Sequence, residues 1–126
     1  MIYKEAGTMG FSTEELIERY LPMSEQSFLL LLCLTEPRHG YGIMQMVLEQ
    51  SGGRISLGPS TVYTILYKME QDGLIEVVSE VERRKVYRIT AQGRAVLEAE
   101  TGRISELARF ARHILECEPV CAALKG

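Results

Sequence analysis

Seven consecutive apolar residues, Phe28–Leu34 (FLLLLCL), constrain this fold more than any other stretch of the chain. The run is far short of the roughly 18–20 apolar residues that cross a bilayer. It follows Ser24, a good N-cap, and is bounded downstream by Pro37, so it reads as a helix apolar nearly all round. Such a helix has to be covered on every side. The rest of the chain must supply the elements that surround it, and 126 residues suffice for one domain with one core. The N-terminal stretch MIYKEAGTMG holds no hydrophobic signal core, so a soluble, cytoplasmic protein is expected.

The flanking segments supply candidate covers. Ser12 and Glu15 form a capping-box pattern ahead of a short helix carrying Leu16, Ile17 and Tyr20, closed by Pro22. Gly40–Gln50 reads as a helix with Tyr41, Met44, Val47 and Leu48 on its inner face. Arg54–Leu57 alternates and predicts a short strand. Gly58-Pro59 starts another helix, with proline at N1 and a core stripe of Val62, Ile65, Leu66 and Met69. Leu74–Ser79 and Lys85–Ile89 predict an antiparallel hairpin. Thr90 caps a last helix, Ala91–Glu116, roughly 39 Å long, which Pro119 closes. The glycines at 93 and 102 are expected to weaken it. Leu97, Ile104, Leu107, Ala111 and Ile114 step along it in a heptad-like pattern, which points to an oligomer seam.

The chain carries a net charge of −3, an unpromising total for a partner of nucleic acid. The charge is unevenly spread, however. Arg54–Arg94 holds seven basic and five acidic residues, and the remainder is acidic by five. Local potential, not the total, governs an encounter with phosphate. The densest cluster is Arg83, Arg84, Lys85 and Arg88 in the hairpin. The helix before it presents Ser60, Thr61, Tyr63, Thr64, Tyr67 and Lys68 away from its core stripe.

Helix, helix, short strand, helix, basic hairpin and long helix together predict a mainly α, α+β fold. Its centre is a winged helix-turn-helix (residues 24–90), preceded by an N-terminal extension (1–23) and followed by a dimerisation helix and tail (91–126). A helix fits the roughly 12 Å wide major groove of DNA, with a basic wing beside it to meet phosphate. Each part has a plainer reading. The cations could be a solvated strand pair, and the hydroxyl-rich helix face could be ordinary surface or a protein contact. Cys33 is expected to be a buried hydrophobe, and Cys117 and Cys121 lie four residues apart. No catalytic, metal-ligating or cofactor-binding constellation is visible, so the chain is not expected to be an enzyme.

Four segments in order resemble one family. Pro37-Arg38-His39-Gly40-Tyr41-Gly42-Ile43 is similar to P-x-H-G-Y-x-[IL]. Leu57-Gly58-Pro59-Ser60-Thr61-Val62-Tyr63 is similar to L-S-P-G-T-[LV]-Y. Leu66–Ile75 and Arg83–Gly93 are similar to L-x-[RK]-[LM]-E-x-x-G-L-[IV] and R-R-K-Y-Y-x-[LI]-T-x-x-G. These are motifs of the PadR family of bacterial transcriptional regulators, in particular its small subgroup with one C-terminal dimerisation helix. The family's wings often carry two glycines before the Arg pair, where this chain has Glu82.

The resemblance implies a homodimeric repressor on an inverted-repeat DNA operator, with a small-molecule effector left open. The expected DNA ligands are Tyr41, Ser60, Thr61, Tyr63, Thr64, Tyr67, Lys68, Arg83, Arg84, Lys85 and Arg88. The expected dimer contacts are Leu97, Ile104, Leu107, Ala111 and Ile114. The competing expectation is a winged helix that binds proteins and not DNA.

Overall fold

The computed structural model describes residues 10–125, with side chains through Cys117. Five helices and one hairpin follow in the order α1 (Thr13–Tyr20), α2 (Glu25–Cys33), α3 (Gly40–Gln50), α4 (Pro59–Gln71), β1 (Ile75–Val81), β2 (Arg84–Ile89) and α5 (Ala91–Lys125). This is the expected α+β winged-helix fold with a long C-terminal helix.

Local chemistry sets most helix starts. Ser12 Oγ accepts from the Glu15 N–H at 3.1 Å, and Glu15 Oε1 accepts from the Ser12 N–H at 2.8 Å, a complete capping box. Ser24 Oγ accepts from the Ser27 N–H, and Pro59 opens α4. Thr90 Oγ1 accepts from the Gly93 N–H at the start of α5 and donates to the Gly73 carbonyl at 2.7 Å. One hydroxyl thus caps α5 and ties it to the turn after α4.

Leu30, Leu31, Cys33 and Leu34 of the apolar run are buried among Leu16, Ile43, Val62, Leu66, Met69, Leu74 and Val96. The run is not covered on every side, since Phe28, Leu29 and Leu32 stay partly exposed. On α3 the buried stripe is Gly40, Ile43 and Val47, with Tyr41 and Leu48 outside. The helix is rotated from the expected face because Gly40 lies under Tyr63 of α4. A Cβ at Gly40 would come within 2.5 Å of the Tyr63 Oη.

Arg54–Leu57 is not a strand. Ser51 Oγ accepts from the Ile55 N–H at 3.0 Å, which holds this stretch as a side-chain-bonded turn. The residue that extends the wing's pairing is Arg38, whose N–H and carbonyl exchange bonds with those of Tyr87 at 3.0 and 2.8 Å.

The hairpin is longer and its turn tighter than the sequence suggests. Val81 pairs with Arg84, so the turn is Glu82-Arg83 alone, both residues at positive φ (51° and 67°). A two-residue turn with two positive φ values matches the right-handed strand twist. A bulge at Val78 shifts the register, leaving Val77, Tyr87, Ile75 and Ile89 against the core.

The last helix does not stop at Pro119; it runs to Lys125, about 52 Å at 1.5 Å per residue. Proline removes one helical hydrogen bond and disfavours the turn before it, but a long helix can pass through. Gly93 has a use the propensity argument misses. A side chain there would drive into the Leu74 carbonyl, so glycine lets α5 lie against the start of the hairpin.

Residues 11–21, read from sequence as part of an extension, are tied into the same core. Leu16 is fully buried, and α1 packs along α5. Gln92 Nε2 donates to the Phe11 carbonyl at 3.1 Å, and the Met23 N–H donates to Glu100 Oε2 at 3.0 Å. Glu100 is 1% exposed and also accepts from Arg103 at 2.7 and 2.9 Å. The Arg103 guanidinium, foremost, and the Met23 N–H hold its carboxyl below the usual range against the opposing pull of burial.

Candidate nucleic-acid interface

The outer face of α4 stands free. Ser60, Thr61, Tyr63, Thr64, Tyr67 and Lys68 are all exposed, Tyr67 most of the described tyrosines at 68%. Gly58 caps the helix without a side-chain bond, so no side chain from its N-cap occupies the first-turn N–H groups. Tyr63 reaches across Gly40 toward the start of α3. There His39 is the N-cap, its Nδ1 accepting from the Gly42 N–H at 3.3 Å.

The wing closes the other side. His39, Tyr63, Arg83, Arg84, Lys85 and Tyr87 line a cleft of about 300 Å³. Burial, then the Glu70 carboxylate and Tyr63, push the Tyr87 phenol up, so it stays protonated. His39 and Tyr87 were not singled out from sequence as site residues. Their signal is the His-Gly helix start and the strand alternation that turns Tyr87 inward, and neither identifies a cleft without the fold.

Ion pairing separates the seven basic residues of the central window. Arg54 pairs with Glu25 at 2.6 Å, Lys68 with Asp72 at 3.0 Å, Arg88 with Glu76 at 3.3 Å and Arg94 with Glu98 at 3.9 Å. Arg83, Arg84 and Lys85 take part in no ion pair among the described residues. All three line the cleft.

Lys68 and Thr64 lie on the other flank of α4. With Tyr20, Ser27, Ile65 and Met69 they border a separate, mostly apolar hollow of about 240 Å³. Asp72, 6% exposed, accepts from both Lys68 and the Tyr20 hydroxyl, the latter at 2.5 Å. Burial first, and Asp72 second, raise the Tyr20 phenol far above its ordinary value. Tyr41, 55% exposed on α3, accepts from Gln45 Nε2 at 2.7 Å.

On α5, Leu97 is 4% exposed and belongs to the chain's own core, so it is not available to a partner. The free apolar stripe begins at Ile104 and continues through Leu107, Ala111 and Ile114, widened by Phe110 and Leu115. The sequence reading passed over those last two because they fall off the strict heptad. Cys33 is buried and its thiol pushed up by that burial; Cys117 is exposed and Cys121 lies outside the described side chains. Among the described residues no group of three His, Cys, Asp or Glu side chains could hold a metal ion, and no helix is long and apolar enough to cross a membrane.

Residues 29–99 match the family described as "Transcriptional regulator PadR-like family". The chain is 39% identical over 74 residues to the transcriptional regulator Rv3488 of Mycobacterium tuberculosis, covering 56% of this chain and 66% of that protein. It is 33% identical over 75 residues to an uncharacterized protein X of Lysinibacillus sphaericus, covering 56% of this chain and 69% of the relative. A PadR family transcriptional regulator from Eggerthella lenta has a similar structure, with a TM-score of 0.60 at 26% identity over 82% of this chain and 88% of that one.

Proposed function

Because the chain belongs to the PadR-like family of transcriptional regulators, we propose that it binds double-stranded DNA as a homodimer and represses transcription from an inverted-repeat operator. The family is one of regulators, not enzymes. The observation that carries the reading is the cleft between wing and α4. It gathers Arg83, Arg84 and Lys85, the cations of the central window without an ion-pair partner among the described residues, beside Tyr63. Cations that satisfy no internal carboxylate are free to release counterions from phosphate, the main source of DNA affinity.

In this reading α4 lies in the major groove. Ser60, Thr61 and the first-turn N–H groups meet the backbone at the helix start, where the helix dipole favours phosphate. Tyr63 and the wing cations hold a neighbouring phosphodiester in the cleft, and Tyr41 braces the backbone from α3. Thr64 and the exposed Tyr67 face base edges. No arginine stands on this face, and arginine bonded to guanine is the commonest base-specific contact. Specificity therefore rests more on DNA shape and half-site spacing. Lys68 and Arg88 contribute less than the sequence suggests, because Asp72 and Glu76 already hold them.

The second copy covers Ile104, Leu107, Ala111 and Ile114 of α5. A two-fold pairing there sets the two α4 helices roughly 34–36 Å apart, one turn of DNA. The test is a titration of random-sequence duplex at rising salt, with sedimentation of wild type and Leu107→Asp. Affinity that falls steeply with salt, and a monomeric, weakly binding Leu107→Asp, are expected. Salt-independent or absent binding favours the protein-binding winged helix instead, and a dimeric Leu107→Asp defeats the seam.

A further inference from the structure

The wing tip carries a residue that opposes both its backbone and its surroundings. Glu82 sits at φ 51° in a two-residue turn, a position that suits glycine or asparagine and disfavours a longer side chain. It is exposed, and it forms no ion pair among the described residues, although Arg83, Arg84 and Lys85 follow it directly. Neither backbone preference nor an internal contact accounts for a glutamate here. A residue held in a disfavoured conformation without an internal partner points outward for its role. The same turn borders the cationic cleft, so whatever approaches Arg83 and Arg84 also approaches the Glu82 carboxylate.

We infer that Glu82 sets a ceiling on how tightly the wing holds DNA, a fixed negative charge carried to the phosphates beside three free cations. The inference rests on the DNA-binding reading above. The net charge of the tip segment Glu82–Lys85 is +2 where its cations alone would give +3. Non-specific binding is almost wholly electrostatic, so this one charge acts on encounters with any duplex and keeps the wing releasable. It needs no ligand and no conformational change.

Three variants of the full chain separate charge from backbone. Glu82→Gln removes the charge and keeps the side-chain length. Glu82→Asp keeps the charge. Glu82→Asn removes the charge and suits the left-handed turn. The probe is a short random-sequence duplex titrated across a salt series, alongside thermal melts. Glu82→Gln is expected to bind about fivefold tighter at low salt, on the order of one charge pair's interaction at close range in water. Its log–log salt slope should steepen by up to about one unit. Glu82→Asp should stay near wild type, and Glu82→Asn should match Glu82→Gln in binding while melting a few degrees higher.

Equal affinity and slope for wild type and Glu82→Gln would overturn the inference. So would weaker binding by Glu82→Gln, which would make the carboxylate a hydrogen-bond acceptor for a base. Tighter binding by Glu82→Asn alone would assign the effect to the turn and overturn the role of charge. If wild type binds no duplex in a salt-dependent way, the DNA-binding reading fails and takes this inference with it. If wild type binds and Glu82→Gln is unchanged, only this inference fails.

Discussion

The two flanks of α4 carry similar residue types and differ in what those residues are attached to. On the wing side, Tyr63 stands next to Arg83, Arg84 and Lys85, which form no ion pairs among the described residues. On the α1 side, Thr64 stands next to Lys68, whose ammonium is 3.0 Å from a buried carboxylate that also accepts from Tyr20. Counted along the sequence, Lys68 and Arg84 are equivalent basic residues. In the fold one is paired with Asp72, the carboxylate that Tyr20 of α1 also bonds, and the other forms no ion pair among the described residues. An internal partner, more than charge density, separates a binding surface from a brace.

The largest effect should come from filling the close approach that shapes the wing-side flank. Gly40→Ala places a methyl where the Tyr63 ring lies, so α3 and α4 must separate or Tyr63 must leave the cleft. Tyr63 is half exposed and meets the methyl with the far end of its side chain, so the ring can swing aside at little cost to folding. We expect at least a tenfold loss of DNA affinity with little change in the denaturation midpoint. Tyr63→Phe tests one atom of the same contact. It removes one hydroxyl, keeps the ring, and should weaken DNA binding by about 1.5–3 kcal/mol, the range for a hydrogen bond to a charged group. The melting temperature should barely move. Unchanged affinity with a large fall in melting temperature would put that hydroxyl in the service of the core.

The tie between α5 and the segment after α1, away from both flanks, should answer to acid instead. Arg103 and the Met23 N–H depress the Glu100 carboxyl, so folding gains stability from it above the ordinary carboxylate value of 4.5. That gain is fully present at neutral pH and is lost as pH falls through the depressed value. Denaturant midpoints should therefore drop on acidification below about pH 4.5. Glu100→Gln should be less stable at pH 7 and should lose less on acidification. A wild-type-like acid profile in Glu100→Gln would show that this carboxylate does not stabilise the tie.

Features written in neighbouring residues were legible in advance. The Ser12–Glu15 box, Pro59 at the start of α4, the stripe of Val62, Leu66 and Met69, and the run of wing cations each need only a few consecutive positions. Features that join distant positions were not legible. Tyr20 meets Asp72 across 52 residues, and nothing near Lys68 in sequence shows that Asp72 is buried. Arg38 bonds to Tyr87 across the domain, a pairing that no local pattern announces, while the strand expected at Arg54–Leu57 does not form. The face of α3 was misjudged because its rotation depends on Gly40 meeting Tyr63. Leu97 fits the heptad spacing, but the same spacing serves a helix that enters its own core at one end and leaves it at the other.

The central claim is that free cations, and not all cations near α4, carry the DNA contact. Arg84→Ala and Lys68→Ala measured side by side in salt titrations of one DNA duplex test it most directly. Each lost phosphate contact should make the log–log slope shallower by about one unit. Arg84→Ala should show that change and weaken all sequences alike. Lys68→Ala should keep the wild-type slope and lose some folding stability. A slope that falls for Lys68→Ala and stays put for Arg84→Ala would contradict the account.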